Sequence, residues 1–84
     1  MIRVTISFTK TDDFQVDAII LFSAVPMVGD LIAIYENINI VDGYGLTVDQ
    51  ANDEIQGDWI VSSRTFFLDG ERDEEIWINV KPAQ

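Results

Sequence analysis

The 84-residue chain contains no cysteine and no histidine. The first absence excludes disulfides and any thiolate metal site, and it fits a reducing compartment. Together the two remove the commonest general base and the strongest side-chain nucleophile. Basic residues are scarce: five Lys and Arg stand against fifteen Asp and Glu, a net charge of −10. Such a chain repels a phosphate backbone and an anionic membrane surface, so neither is expected as a direct ligand. Long apolar runs are missing too. The longest stretch, around Ala18 to Phe22, is far too short to cross a bilayer. The first ten residues, MIRVTISFTK, lack the basic-then-apolar order of a secretory signal. A cytoplasmic protein is expected, of a cell or of a host whose phage encodes it.

What is present suits one packed domain over residues 1–84, since 48% of the residues are hydrophobic. Ile2, Val4, Ile6 and Phe8 alternate with Arg3, Thr5, Ser7 and Thr9, the period of a half-buried strand. Phe14 to Phe22 reads as its hairpin partner. Phe14, Val16, Ala18, Ile20 and Phe22 share one face. The other face turns apolar at Ile19 and Leu21. Two explanations fit that second apolar face: cover by a later insertion, or a homodimer seam through Ile19 and Leu21.

Val25-Pro26-Met27-Val28-Gly29-Asp30 is a shaped turn, because proline fixes one dihedral and glycine permits a positive one. Leu31 to Val41 reads as one long or bent strand with Ile32, Ile34, Ile38 and Ile40 on its apolar side. Asp42-Gly43-Tyr44-Gly45 is a second turn. Thr47 and Gln50 have capping-box spacing, which opens a short helix. Val48, Ala51 and Ile55 form its apolar face, and Gly57 is expected to close it in a left-handed cap. Asp58 to Leu68 and Glu75 to Lys81 form a closing hairpin, with Val61, Ser63, Thr65 and Phe67 on one face. A loop longer than the Asp69-Gly70 pair is expected, setting Phe67 opposite Ile76 and Phe66 opposite Trp77. The expected fold is all-β with one short helix: a small, five-stranded, mostly antiparallel, strongly bent sheet or barrel.

The N-terminal hairpin, the run Val25-Pro26-Met27-Val28-Gly29-Asp30-Leu31-Ile32 and the terminal hairpin together resemble small SH3-like barrel proteins of bacteria and phages. The insertion from Asn37 to Gly57 departs from that pattern. The resemblance implies a fold and carries no functional residue.

Catalytic chemistry has little to stand on. Ser7, Ser23, Ser62 and Ser63 lie in or beside strands without an identifiable base, and paired carboxylates need a sugar-sized cleft. Gly43-Tyr44-Gly45 is not a phosphate cradle, because Val48 replaces the third glycine and no lysine follows. The run Asp69 to Glu75 invites a calcium reading, yet Glu74 stands where an EF-hand loop needs glycine. A solvated hairpin tip is the simpler account, with weak divalent binding as an alternative. The protein is therefore expected to be non-enzymatic, with no cofactor.

Ten of the fifteen acids fall between Asp42 and Glu75, opposed only by Arg64 and Arg72. The candidate partner-binding set is Asp42, Asp49, Asp53, Glu54, Asp58, Asp69, Glu71, Asp73, Glu74 and Glu75, with Tyr44 and Trp77 as aromatic anchors. Trp59 is a third aromatic candidate. A basic protein surface is the complementary partner. In its sharpest form this is a phage-type inhibitor, an anti-CRISPR or anti-restriction factor that mimics DNA. A small structural or assembly barrel that oligomerises is the competing reading.

Overall fold

The computed structural model describes residues 1–11, 13–68 and 75–83. The alternating N-terminal run forms β1 (Ile2–Thr11), which pairs antiparallel with β2 (Phe14–Phe22) from Ile2↔Phe22 to Thr9↔Gln15. The remaining elements are β3 (Leu31–Ile34), β4 (Ile40–Asp42), α1 (Val48–Glu54), β5 (Gly57–Phe67) and β6 (Glu75–Pro82). They make one curled mixed sheet, a half-barrel in the order β3-β5-β6-β1-β2-β4. The β1–β6 pair is parallel and the other four are antiparallel. The fold is thus mostly β with one short helix, as the patterning requires.

Six strands stand where five are expected. Leu31 to Val41 is not one strand: β3 pairs with β5 at one edge of the sheet, and β4 pairs with β2 at the other. Residues 35–39 carry the chain between the edges, a span their extended reach of about 17 Å allows only because the sheet curls. The even-numbered isoleucines keep their inward parity through the break, which is why alternation alone joins the two segments. Asn52 holds the crossing in place. Its Nδ2 donates to the Ile38 and Val48 carbonyls (both 3.2 Å), and its Oδ1 accepts from the Ile38 N–H (2.9 Å).

The capping box forms as the spacing predicts: Thr47 Oγ1 accepts from the Gln50 N–H, and Gln50 Oε1 accepts from the Thr47 N–H. The helical face is shifted, however. Ala51, Asn52 and Ile55 are buried, whereas Val48 is exposed. Gly57 does not cap the helix. Ile55 is the C-cap, and Gly57, at φ +119°, turns the chain into β5.

The closing hairpin carries a bulge at Ser62, between the pairs Val61↔Val80 and Ser63↔Asn79. The extra residue flips the parity, so Val61 points to the core while Ser63, Thr65 and Phe67 point outward. The register is Phe66↔Ile76, Thr65↔Trp77 and Phe67↔Glu75, one residue from the expected pairing. That slip moves Trp77 from beside Phe66 to the row of Thr65.

The concave face holds the core: Val4, Ile6, Phe8, Ile20, Trp59, Val61, Ile78 and their neighbours, closed by Ala51 and Ile55 of α1. Trp59 is no surface anchor. It is 2% exposed, its indole N–H donates to the Ile55 carbonyl (2.8 Å), and Phe8 meets it edge-on at 5.0 Å. Burying residues of this size stabilises by about 1.5–3 kcal/mol each, an upper estimate because unfolded chains are already partly compact.

Candidate functional site: an aromatic strip with flanking carboxylates

The convex face repeats in rows across β2, β1, β6 and β5. One row runs Asp17, Ser7, Asn79 and Ser63; the next runs Ile19, Thr5, Trp77 and Thr65. The first row is a polar ladder. Gln15 Nε2 donates to Asp17 (2.8 Å), and Asn79 Nδ2 donates to Ser63 Oγ (2.8 Å). Thr5 and Ser7 are buried although they face outward, because β2 and β6 crowd the central strand from both sides.

The second row sets Ile19 and Trp77 among two threonines, and two further aromatic rings gather on Trp77. Trp77 is half-buried at its centre. Phe67, one strand over, presents its edge to the indole at 6.2 Å, and Tyr44 approaches from the other side at 6.4 Å. Tyr44 reaches this place from the turn after β4. Asp42 Oδ1 accepts from the Tyr44 N–H (2.9 Å), Tyr44 adopts φ +47°, and the Gly43 carbonyl accepts from the Leu46 N–H (3.2 Å). Glycine is required at 43: a Cβ there would sit 2.8 Å from the Leu46 oxygen. The reading of Gly43-Tyr44-Gly45 as a turn therefore has a specific product, a tyrosine laid over the open face.

Two carboxylates flank the strip. Asp42 pairs with Ile19 across the β2–β4 ladder, and Glu75 Oε2 accepts weakly from the Trp77 indole N–H (3.5 Å). Tyr44 and Phe67 stay about half exposed, at 48% and 52%. Aromatic bodies with one open face beside carboxylates suit cation–π and ion-pair contacts to lysine or arginine.

The structure thus brings together four of the sequence-predicted residues: Asp42, Tyr44, Glu75 and Trp77. It adds Phe67, which alternation alone placed beside Val61 and away from Trp77. Asp49, Asp53 and Glu54 are exposed on α1, which packs on the concave side, so they do not join this strip. Asp58 lies near the start of β5, roughly 20 Å along the strand from Thr65. There its carboxylate raises the Tyr35 phenol above its ordinary value of 10.0. Asp69, Glu71, Asp73 and Glu74, and with them the divalent-metal reading of that run, lie outside the described residues. Ile19 is half-buried between Thr5 and Asp42, and Leu21 is more open.

Leu21 also lines an open cleft of about 460 Å³ between the end of β2 and β3, with Ile20, Phe22, Ile32, Ile34 and Ile38. Asn37 and Asn39 are its polar side chains, and none of its lining side chains is an acid, a base or a nucleophile. Among the described residues no helix is long and apolar enough to cross a membrane. Comparison with family models, curated proteins and solved structures finds no match.

Proposed function

We propose that the protein is a non-enzymatic binding module whose convex face docks on a basic protein surface. The observation that carries this reading is the Tyr44–Trp77–Phe67 strip with Asp42 and Glu75 at its margins. A net charge of −10 steers such a face toward a cationic partner. A half-buried tryptophan held between two other rings is already ordered, so little side-chain entropy is lost when it is covered.

A partner whose basic surface is a nucleic-acid groove would make the protein an inhibitor that excludes DNA or RNA by occupying that groove. Counterion release from the groove would favour the complex as it favours the nucleic acid.

The test is affinity capture from lysate at two salt concentrations, followed by binding measurements with the purified partner. High salt is expected to weaken the complex steeply. Trp77→Ala is expected to cost about 2 kcal/mol or more, roughly thirtyfold in Kd. Duplex competing for the partner identifies the groove-occupying form. A Kd unchanged between low and high salt, or unaffected by Trp77→Ala in a folded variant, rules the reading out.

A further inference from the structure

The side of β5 facing β3 is only half used. β3 pairs with Gly57 to Ile60. The last backbone bonds on that side are Gly29 N–H to the Val61 carbonyl and Val61 N–H to the Asp30 carbonyl, both 3.0 Å. β5 runs on to Phe67, and among the described residues β6 alone pairs with this stretch. Alternate residues of Ser62–Phe67 therefore direct backbone N–H and C=O groups toward an unoccupied edge.

Apolar side chains bracket the open stretch. Val28 and Leu31 are exposed near its lower end, at 63% and 69%; Phe67 and Leu68 are exposed at its upper end. Edge strands are commonly guarded by outward lysine or by proline. Neither occurs between Ser62 and Phe67. The single charge there, Arg64, lies over the Phe66 ring at 5.1 Å. Arg64, on the inward parity opposite Ile78, and the Ser62 bulge are the guarding devices, and both sit in the first half of the stretch.

We infer that Ser62–Phe67 accepts an extended segment of a partner protein as an added strand, and that this segment alternates apolar with basic residues. Strand addition follows from the open edge and its apolar brackets. The basic character rests on the function proposed above and on charge complementarity. Net charge is −10, and Glu75 stands directly opposite Phe67. A second copy of this chain would bring a further −10 to the same edge, which disfavours self-pairing. Outward side chains of the added strand would fall in line with Thr65 and Trp77, so the aromatic strip would continue onto the bound segment.

The test titrates the full, isotope-labelled protein with three nine-residue peptides: alternating Lys/Thr and Val; the same peptide with Glu for Lys; and the Lys peptide N-methylated at alternate residues. The Lys peptide is expected to bind at about 1 mM or tighter, to shift the amides of Ser62–Phe67, and to slow exchange at every second one. N-methylation is expected to weaken it at least about tenfold, through the lost backbone donors. Equal binding of the Lys and Glu peptides, with β5 protection, supports strand addition and removes the basic partner. Lys-peptide shifts confined to Tyr44, Trp77 and Phe67 side chains, without β5 protection, leave the proposed function standing and overturn strand addition. Protection of β5 in the protein alone, rising with concentration, assigns the edge to a second copy and overturns the inference. No binding by any peptide overturns it as well.

Discussion

Asn52 shows how much one side chain can hold. It is buried to 2% exposure, and its amide ties both the N–H and the C=O of Ile38. Asn52→Ala leaves those backbone groups without partners inside the protein. A loss of about 2–3 kcal/mol is expected, read from the urea midpoint. An asparagine is usually a surface residue, so only its place in the sequence betrayed it: position 52 shares the helical face of Ala51 and Ile55. Tyr35 gives a pH test. The Asp58 carboxylate beside it favours the protonated form and raises its phenol above 10.0. The neutral phenol is thus favoured in the folded state. Its stabilising contribution is present below the ordinary phenol value and is lost as pH rises through the raised one. Any stability gap between wild type and Tyr35→Phe is expected to close at that point. In a spectrophotometric titration, Asp58→Asn should bring the Tyr35 midpoint back toward 10.0.

At the scale of elements, the N-terminal hairpin and the capping box could be read directly, because each is a local pattern with a local cause. α1 has only seven residues, too short to persist without its cap and its packing. Thr47→Ala is therefore expected to cost about 1 kcal/mol, measured by chemical denaturation. What alternation could not reveal is where a strand changes partners. The isoleucines from Ile32 to Ile40 keep one parity across two strands at opposite edges, and the Ser62 bulge reverses parity inside one strand. Both features decide the site. The crossing delivers β4 and hence Tyr44 to the convex face, and the bulge delivers Phe67. Charge counting alone named Asp42 and Glu75 but also named the helix acids, which packing sends to the other side. Deleting Ser62 preserves the inward and outward parity on either side of it. The variant is expected to fold with a loss of about 1–2 kcal/mol, including the Ser62 hydroxyl's bond to the Asn79 carbonyl. Cross-strand amide contacts in its spectrum should match the Phe66↔Ile76 register.

For the whole molecule the governing quantity is charge. Fifteen acids on a chain this small repel one another in the folded state. Salt at physiological strength shortens the range of that repulsion to about 8 Å. Moving from low to physiological salt is expected to raise the melting temperature by about 3–6 °C, equivalent to roughly 0.5–1 kcal/mol. The same salt weakens a complex with a basic partner. Stability and binding should therefore move in opposite directions along one salt axis, which separates unfolding from dissociation in any assay of the protein.

The parallel contact between β1 and β6 has a consequence in time. β1 is made first and ends in the middle of the sheet, with β2 on one side and β6 on the other. Until residues 75–82 leave the ribosome, one side of that central strand waits without its mate. The sheet cannot close from its beginning. It closes when its latest strand arrives, a long-range pairing of the kind that makes folding slow. A nascent chain stalled before Glu75 should accordingly hold the first hairpin yet lack the protected core, and release of the last strand should complete that core.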